Sequence, residues 1–275
     1  MNRLTKEKQR AVVAAIVDGA SINAIVRMTG VAKTTILRLT RAFGVACAAY
    51  HDEHVRGLKP EQVQTDEIWA FVGAKAKNVS PEREIEGWGD AWTWTAITDQ
   101  KLIIAYHVGL RTQADADEFM LDLAGRITNR TQLTSDGHTT YLNAVENAFG
   151  HDVDYAQLVK SYGPESGVSG PERKYSPGKV NGSKKVPQIG LPAREHISTS
   201  HVERHNLTIR MSMRRFTRLT NGHSKKLSYH VAAVAMFFHY YNFCRTHAAL
   251  KTSPAVASGL ADHVWTIEEM IGLLD

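Results

Sequence analysis

Cysteine is almost missing from this chain. Only Cys47 and Cys244 occur among 275 residues, too few and too far apart for a zinc module or a disulfide framework. Both read as reduced, buried thiols of a cytosolic protein. Long hydrophobic runs are also missing. The most apolar stretch, "HVAAVAMFFHYYNF", is short and interrupted by His239, so it reads as a core helix and not as a membrane span. The N-terminal "MNRLTKEKQR" is charged where a signal peptide would be apolar. No internal repeat or low-complexity tract is evident.

What remains is a globular composition, 43% hydrophobic and 22% charged, on a chain long enough to bury a substantial core and to hold two units. With 33 Lys and Arg against 28 Asp and Glu, the formal charge is +5, and 13 His are present. The surface is therefore tilted toward anionic partners.

The stretch "TKEKQRAVVAAIVDGASINAIVRMTGVAKTTILRLTRAFG" reads as three short helices, separated at Gly19–Ala20 and at Thr29–Gly30. Ser21 is placed to cap the second helix, and Gly30 to supply the tight turn. After the turn Ile36, Leu37 and Leu39 face inward, while Lys33, Thr34, Thr35, Arg38 and Arg41 stay polar. That is the pattern of a helix-turn-helix with a basic recognition helix, whose side chains suit phosphates and base edges. An ordinary three-helix bundle with a solvated basic face is the plain alternative. Residues 44–60 read as a linker, which divides the chain into a helix-turn-helix unit over 1–57 and a second domain over 58–275.

A β-rich texture begins at "EQVQTDEIWAFVGAK", and "WTWTAITDQKLIIAYHVGL" alternates like a hairpin turning at Asp99–Gln100. Then come a helix in "QADADEFMLDLAGRI", a strand in "TQLTSDGH", a helix in "TTYLNAVENAFG" and a strand in "VDYAQLVKS". Strands followed by alternating strand and helix argue an α/β domain, a mixed sheet covered by helices. Residues 161–197 show no strong period and carry Arg173, Lys174, Lys179, Lys184 and Lys185. They read as a long basic loop, either a nucleic-acid-facing flap or a solvated insertion. The stretch "SKKLSYHVAAVAMFFHYYNFC" reads as core packing, with Arg245 and His247 at its end as weaker DNA-contact candidates.

Three acids stand out by position. Asp66 lies mid-strand in "VQTDEIWAF", where an ionised group is costly unless it has a partner or a task. Asp136 closes "QLTSD" just before Gly137, at a strand's carboxyl end, a usual place for ligand chemistry in α/β sheets. Glu203 sits in "STSHVERHNLTIRMSMRRF" among arginines. Only a fold can bring the three together. If it does, three carboxylates suit Mg²⁺ or Mn²⁺, and two such ions serve an in-line phosphoryl displacement. The run His51, Asp52, Glu53, His54 is ligand-like, but it lies in the expected linker and reads as solvated.

In "TDEIW", "TSDG" and "HVERHNLTIRMSMRRFTRLTN" the sequence resembles the DDE-type transposases of bacterial insertion sequences, most closely those of the IS-one family, from about residue 62 to the C-terminus. Near the end, "YYNFCRTHAALKTSPA" is similar to the tail of many integrase-like transposases. The resemblance implies an RNase H-like core, preceded here by the small all-α unit, with Asp66, Asp136 and Glu203 as the acidic residues. It also implies two Mg²⁺ (or Mn²⁺) ions, and a basic residue seven positions after the glutamate, here Arg210. The implied reaction is metal-dependent cleavage at the element's 3′ ends followed by strand transfer into target DNA. Double-stranded DNA, as terminal repeats and target, would be the partner of a homo-oligomer in the bacterial cytoplasm, on the nucleoid, away from any membrane. The cysteine-rich module of some IS-one members has no counterpart in this chain.

Helical geometry adds an independent reading. At about 100° per residue, Arg210 and Arg214 fall within about 20° of Glu203, with Asn206 about 60° to one side. Val202, Ile209, Met213 and Phe216 form an adjacent apolar stripe, while Arg204, Arg215 and Arg218 point outward. The expected DNA contacts are thus Lys33, Thr34, Thr35, Arg38 and Arg41 in the recognition helix, and Asn206, Arg210, Arg214, Arg215, Lys184 and Lys185 around the acids. Two other functions use the same features: a nuclease that cuts without joining, and a DNA-binding regulator whose α/β domain is inactive.

Overall fold

A computed structural model describes residues 4–163, 180–217 and 221–275. The chain opens with helices α1 (Lys6–Val17), α2 (Ile22–Thr29) and α3 (Lys33–His54). The Ser21 hydroxyl caps α2 by accepting from the Ala24 N–H, and Gly30 ends it in the left-handed region at φ 67°, which costs glycine little. Val12, Ile25, Val31 and Ile36 form the small core of this unit.

Helix α3 departs from the sequence expectation. It is 22 residues long, so residues 44–54, expected as linker, continue the helix. They do so because their inner face is buried: Phe43, Gly44, Cys47 and His51 pack inward, and His51 Nε2 meets the Ile104 carbonyl oxygen at 3.1 Å. The reading of His51 as a solvated linker residue fails for the same reason.

After α3 come strand β1 (Gln62–Val72), the short helix α4 (Pro81–Ile85), β2 (Gly89–Thr98), β3 (Ile103–Gly109), helix α5 (Gln113–Ala124), β4 (Thr131–Asp136), helix α6 (Thr140–Phe149) and β5 (Val153–Tyr162). Strand β6 (Val180–Ile189) follows, then α7 (Ser200–Ser212), α8 (Leu227–His239) with a π-helical extension Tyr240–Cys244, α9 (Pro254–Ala257) and α10 (Ile267–Gly272). The sheet runs β3-β2-β1-β4-β5-β6. Strands β1, β2 and β3 are antiparallel, β4 and β5 run parallel to β1, and β6 returns antiparallel. This is the mixed sheet flanked by helices that the RNase H-like reading expects.

Strand β6 corrects the expected loop over 161–197. Its alternation is weak in the sequence because both faces are largely exposed, so no apolar period marks it. Lys184 and Lys185 therefore sit on a strand paired with Val159 and Leu158. Arg173, Lys174, Lys179 and Arg218 lie outside the described residues.

Two apolar layers cover the sheet. On one side α5 and α6 bury Phe119, Met120, Tyr141 and Val145 against Trp94, Leu133 and Tyr155. On the other, Val202 and Ile209 of α7, with Met213, Phe216 and Phe238, pack on Ile68, Ala70 and Ile97. A further cluster joins Val13, Phe43 and Cys47 to Met236, Met270 and Ile271, so the first helices and the last share a core. Helices α3 and α8 approach closely there, because a Cβ on Gly44 would lie 2.2 Å from the Ala232 carbonyl oxygen. Among the described residues no helix is long and apolar enough to cross a membrane.

Candidate active site

Parallel pairing of β1 with β4 aligns Gln62 with Gln132 and Gln64 with Thr134. The same register leads on to Asp66 beside Asp136, at the carboxyl end of β4. One oxygen from each of Asp66, Glu67 and Asp136 lies within 4.8 Å of the other two. Two of these acids, Asp66 and Asp136, are ones that the sequence marks by position. Glu67 is not, because alternation along β1 sends its side chain to the opposite face, toward α6. The signal for it was present in the two consecutive acids of "TDEIW" within a buried strand.

Glu67 is held by its surroundings. The Tyr141 hydroxyl donates to its Oε2 at 3.0 Å, and the Arg111 guanidinium pairs with Oε1. Arg111 in turn lies over the Trp92 ring, 4.9 Å from its centroid. Burial, then the nearby Asp136, pushes the Glu67 carboxyl up, while Arg111 and the Tyr141 hydrogen bond oppose that. Asp66 is pushed further, up to about 8, by burial first and then by Glu67, Asp136 and Glu203. Asp136 accepts from the His138 N–H at 3.0 Å.

Glu203 approaches from α7 but stays outside this tight trio. Its Oε1 accepts from the Lys160 ammonium and from the Thr199 hydroxyl. Asn206, one turn on, donates from Nδ2 to Asp66 Oδ2 at 2.8 Å. Its own Oδ1 is buried without a hydrogen-bond partner among the described residues. Helix α7 is positioned at its start by Gln64, whose Oε1 accepts from the His201 and Val202 N–H groups. Lys160, at the far end of β5, was missed because a lysine near a strand's end reads as an ordinary solvated charge.

The donor set fits a hard divalent cation. Three carboxylates crowd together, two of them, Asp66 and Glu67, raised above their ordinary range by burial first and then by their neighbours' charge, and an orphaned amide oxygen sits beside them. Such sites are satisfied by Mg²⁺ or Mn²⁺, which prefer carboxylate and carbonyl oxygens.

The arginines of α7 divide differently from the helical projection. The helix stops at Ser212, Met213 is extended at φ −122°, ψ 104°, and Arg214–Phe216 form a 3₁₀ turn. Arg214 therefore does not share the Glu203 face. It is exposed and lines a cleft of about 460 Å³ between the first helices and α8, along with Lys33, Lys225 and Lys226. Arg215, expected to point outward, turns inward and donates to Ser224 Oγ at 2.9 Å; burial lowers it to about 10. Arg210 is half-buried on α7. Lys33, Thr34, Arg38 and Arg41 are exposed along α3, with Thr35 half-buried.

Comparison with solved structures returns transposases. A synaptic complex of the piggyBac transposase with hairpin DNA aligns over 99% of this chain and 71% of its own, at 11% identity and a TM-score of 0.46. The Mos1 transposase paired-end complex with the left transposon end aligns over 53% and 57%, at 13% identity and a TM-score of 0.22. The Mos1 strand transfer complex aligns over 88% and 77%, at 11% identity and a TM-score of 0.25. No family model matches the chain, and no curated protein sequence does.

Proposed function

We propose that this protein is a DNA transposase that cuts the phosphodiester at the ends of a mobile element and joins the freed 3′-hydroxyl to target DNA. The carrying observation is the meeting of Asp66, midway along β1, with Asp136 at the carboxyl end of the adjacent parallel strand β4, and Glu203 and Asn206 facing them from α7. The resemblance of "TDEIW", "TSDG" and the Glu203 stretch supports a bacterial insertion-sequence enzyme of the IS-one kind.

In this reading Asp66, Asp136 and Glu203 would hold two divalent cations, whose chemistry there would be activation of the attacking hydroxyl and stabilisation of the leaving oxygen. Asn206 fixes the Asp66 carboxylate, and Gln64 fixes the helix that carries Asn206 and Glu203. Lys160 and Arg111 bring positive charge to the site's rim, where each can fork or point onto a DNA phosphate. Lys33, Thr34, Thr35, Arg38 and Arg41, within residues 1–57, contact the element's terminal repeat, with a homo-oligomer bringing two ends together. Lys184 and Lys185 on β6 add backbone contacts beside the site.

The test supplies the full-length protein with DNA carrying the short inverted repeats that flank its gene, and with Mg²⁺ or Mn²⁺. Nicks at the repeat ends followed by joined products are the expected result. Cleavage without joining makes the protein a nuclease, and neither product sinks the reading.

A further inference from the structure

Strand β1 does not end at the carboxylates. Past Glu67, its same-side residues are Trp69 and Phe71, each step about 7 Å further along the sheet. Trp69 is paired across the hairpin with Trp92, and the Trp69 and Phe71 rings are 5.6 Å apart. Phe119 and Tyr141 bury Trp94, the cross-strand partner of Glu67. Trp69, Phe71 and Trp92, further along the same face, remain half-buried.

Cations lie on the two tryptophans, and a histidine ring on the phenylalanine. The Lys75 ammonium is 5.7 Å from the Trp69 centroid, the Arg111 guanidinium is 4.9 Å from that of Trp92, and the His223 ring stacks on Phe71 at 4.6 Å. Because Arg111 also pairs with Glu67, one end of this aromatic strip is tied directly to the carboxylate cluster. Half-exposed aromatics interleaved with cations are the composition that binds unpaired nucleic acid, the rings taking bases and the cations taking phosphates.

We propose that Trp69, Phe71 and Trp92, flanked by Lys75 and Arg111, form a stacking platform for unpaired bases of the DNA strand whose phosphate enters the carboxylate site. The proposal rests on the reading of that site as a DNA phosphoryl-transfer centre. It adds a preference for strands that are frayed or single-stranded next to the reacting phosphate.

The experiment uses the full-length protein in EDTA, where no cleavage can occur, and two fluorescent probes: a blunt duplex, and the same duplex with a short single-stranded thymidine tail. The tailed probe should bind more tightly. Trp69→Ala and Trp92→Ala should each weaken the tailed probe by about 5- to 150-fold, as expected for lost base stacking, and leave the blunt probe unchanged. Trp69→Phe, which keeps a ring, should retain most of the preference. Equal wild-type affinity for both probes, or equal losses on both in the alanine variants, overturns the platform. If the alanine variants do not fold, 5-iodouracil placed in the tail gives a wild-type measurement. Cross-links to Trp69, Phe71 or Trp92 support the platform, and their absence from all three overturns it. Since binding is read without cation, a failure here leaves cleavage and joining standing. A preserved tail preference in a protein that never cuts or joins DNA sinks the transposase reading instead.

Discussion

Asp66 and Glu67 are neighbours on one strand with opposite duties: the first turns toward α7 and Asn206, the second is clamped by Tyr141 and Arg111. Their pKa directions make the pair testable. A carboxyl whose folded value is raised stabilises the fold most at low pH, and that contribution is lost as pH climbs from the ordinary value of 3.8 toward about 8. Without divalent cation the melting temperature should therefore fall between about pH 6.5 and 8. Asp66→Asn should flatten that slope, and Mn²⁺ should restore the wild-type protein alone; an unchanged slope in the variant contradicts the assignment. Lys160 makes a second case, because its ammonium occupies a Glu203 oxygen that a cation would need. Lys160→Met should tighten Mn²⁺ binding by about 2- to 5-fold, the scale of a partly exposed ion pair, and weaken DNA binding. At this scale the sequence was informative where burial made a charge anomalous, as at Asp66. It was silent at Lys160 and Arg111, whose roles depend on neighbours brought from 43 or more positions away in the chain.

Elements were more legible than their limits. Period and turn chemistry placed strands β1 to β5 and helices α5 and α6, since the helices bury one face on the sheet and the strands lie between two apolar layers, so each carries an apolar pattern. The pattern failed for β6, whose faces are both exposed, and for the second half of α3, where Gly44 looks like the start of a linker but is small because α8 packs against it. Gly44→Ala tests that explanation. Alanine favours an isolated helix, yet here its Cβ would strike Ala232, and an overpacked contact should cost about 1–3 kcal/mol. A melting temperature equal to or above wild type would show that α3 and α8 are not in close contact. Asn242 anchors the other side of the sheet. Its amide donates to the Ile103 carbonyl at 2.8 Å and accepts from the Ile103 N–H at 3.0 Å, taking the place of another strand along β3. Asn242→Leu leaves both buried backbone groups unpaired and should destabilise by about 2–4 kcal/mol, read by urea unfolding. The premature stop of α7 at Ser212 could not be read from helical periodicity, because Met213 and Phe216 continue the apolar stripe after the helix has ended.

For the molecule as a whole, buried histidines set the behaviour in acid. His51, His205, His230 and His239 are each lowered to about 3, by burial before any other cause. Their folded values lie below the ordinary 6.5, so their contribution is complete above pH 6.5 and is lost as pH falls toward 3. Stability should drop steeply below pH 6 at any cation concentration. His239→Phe, at a ring stacked on Phe243 at 4.7 Å, should reduce that drop; a variant as acid-sensitive as wild type contradicts it. The central claim concerns the carboxylates, and the most direct measurement is Mn²⁺ binding to the full-length protein by calorimetry, repeated on Asp66→Asn, Asp136→Asn and Glu203→Gln. The account predicts saturable binding that disappears in the two aspartate variants and weakens about tenfold or more when Glu203 is changed, with all three still binding repeat DNA. Mn²⁺ binding unaltered by these substitutions would contradict it.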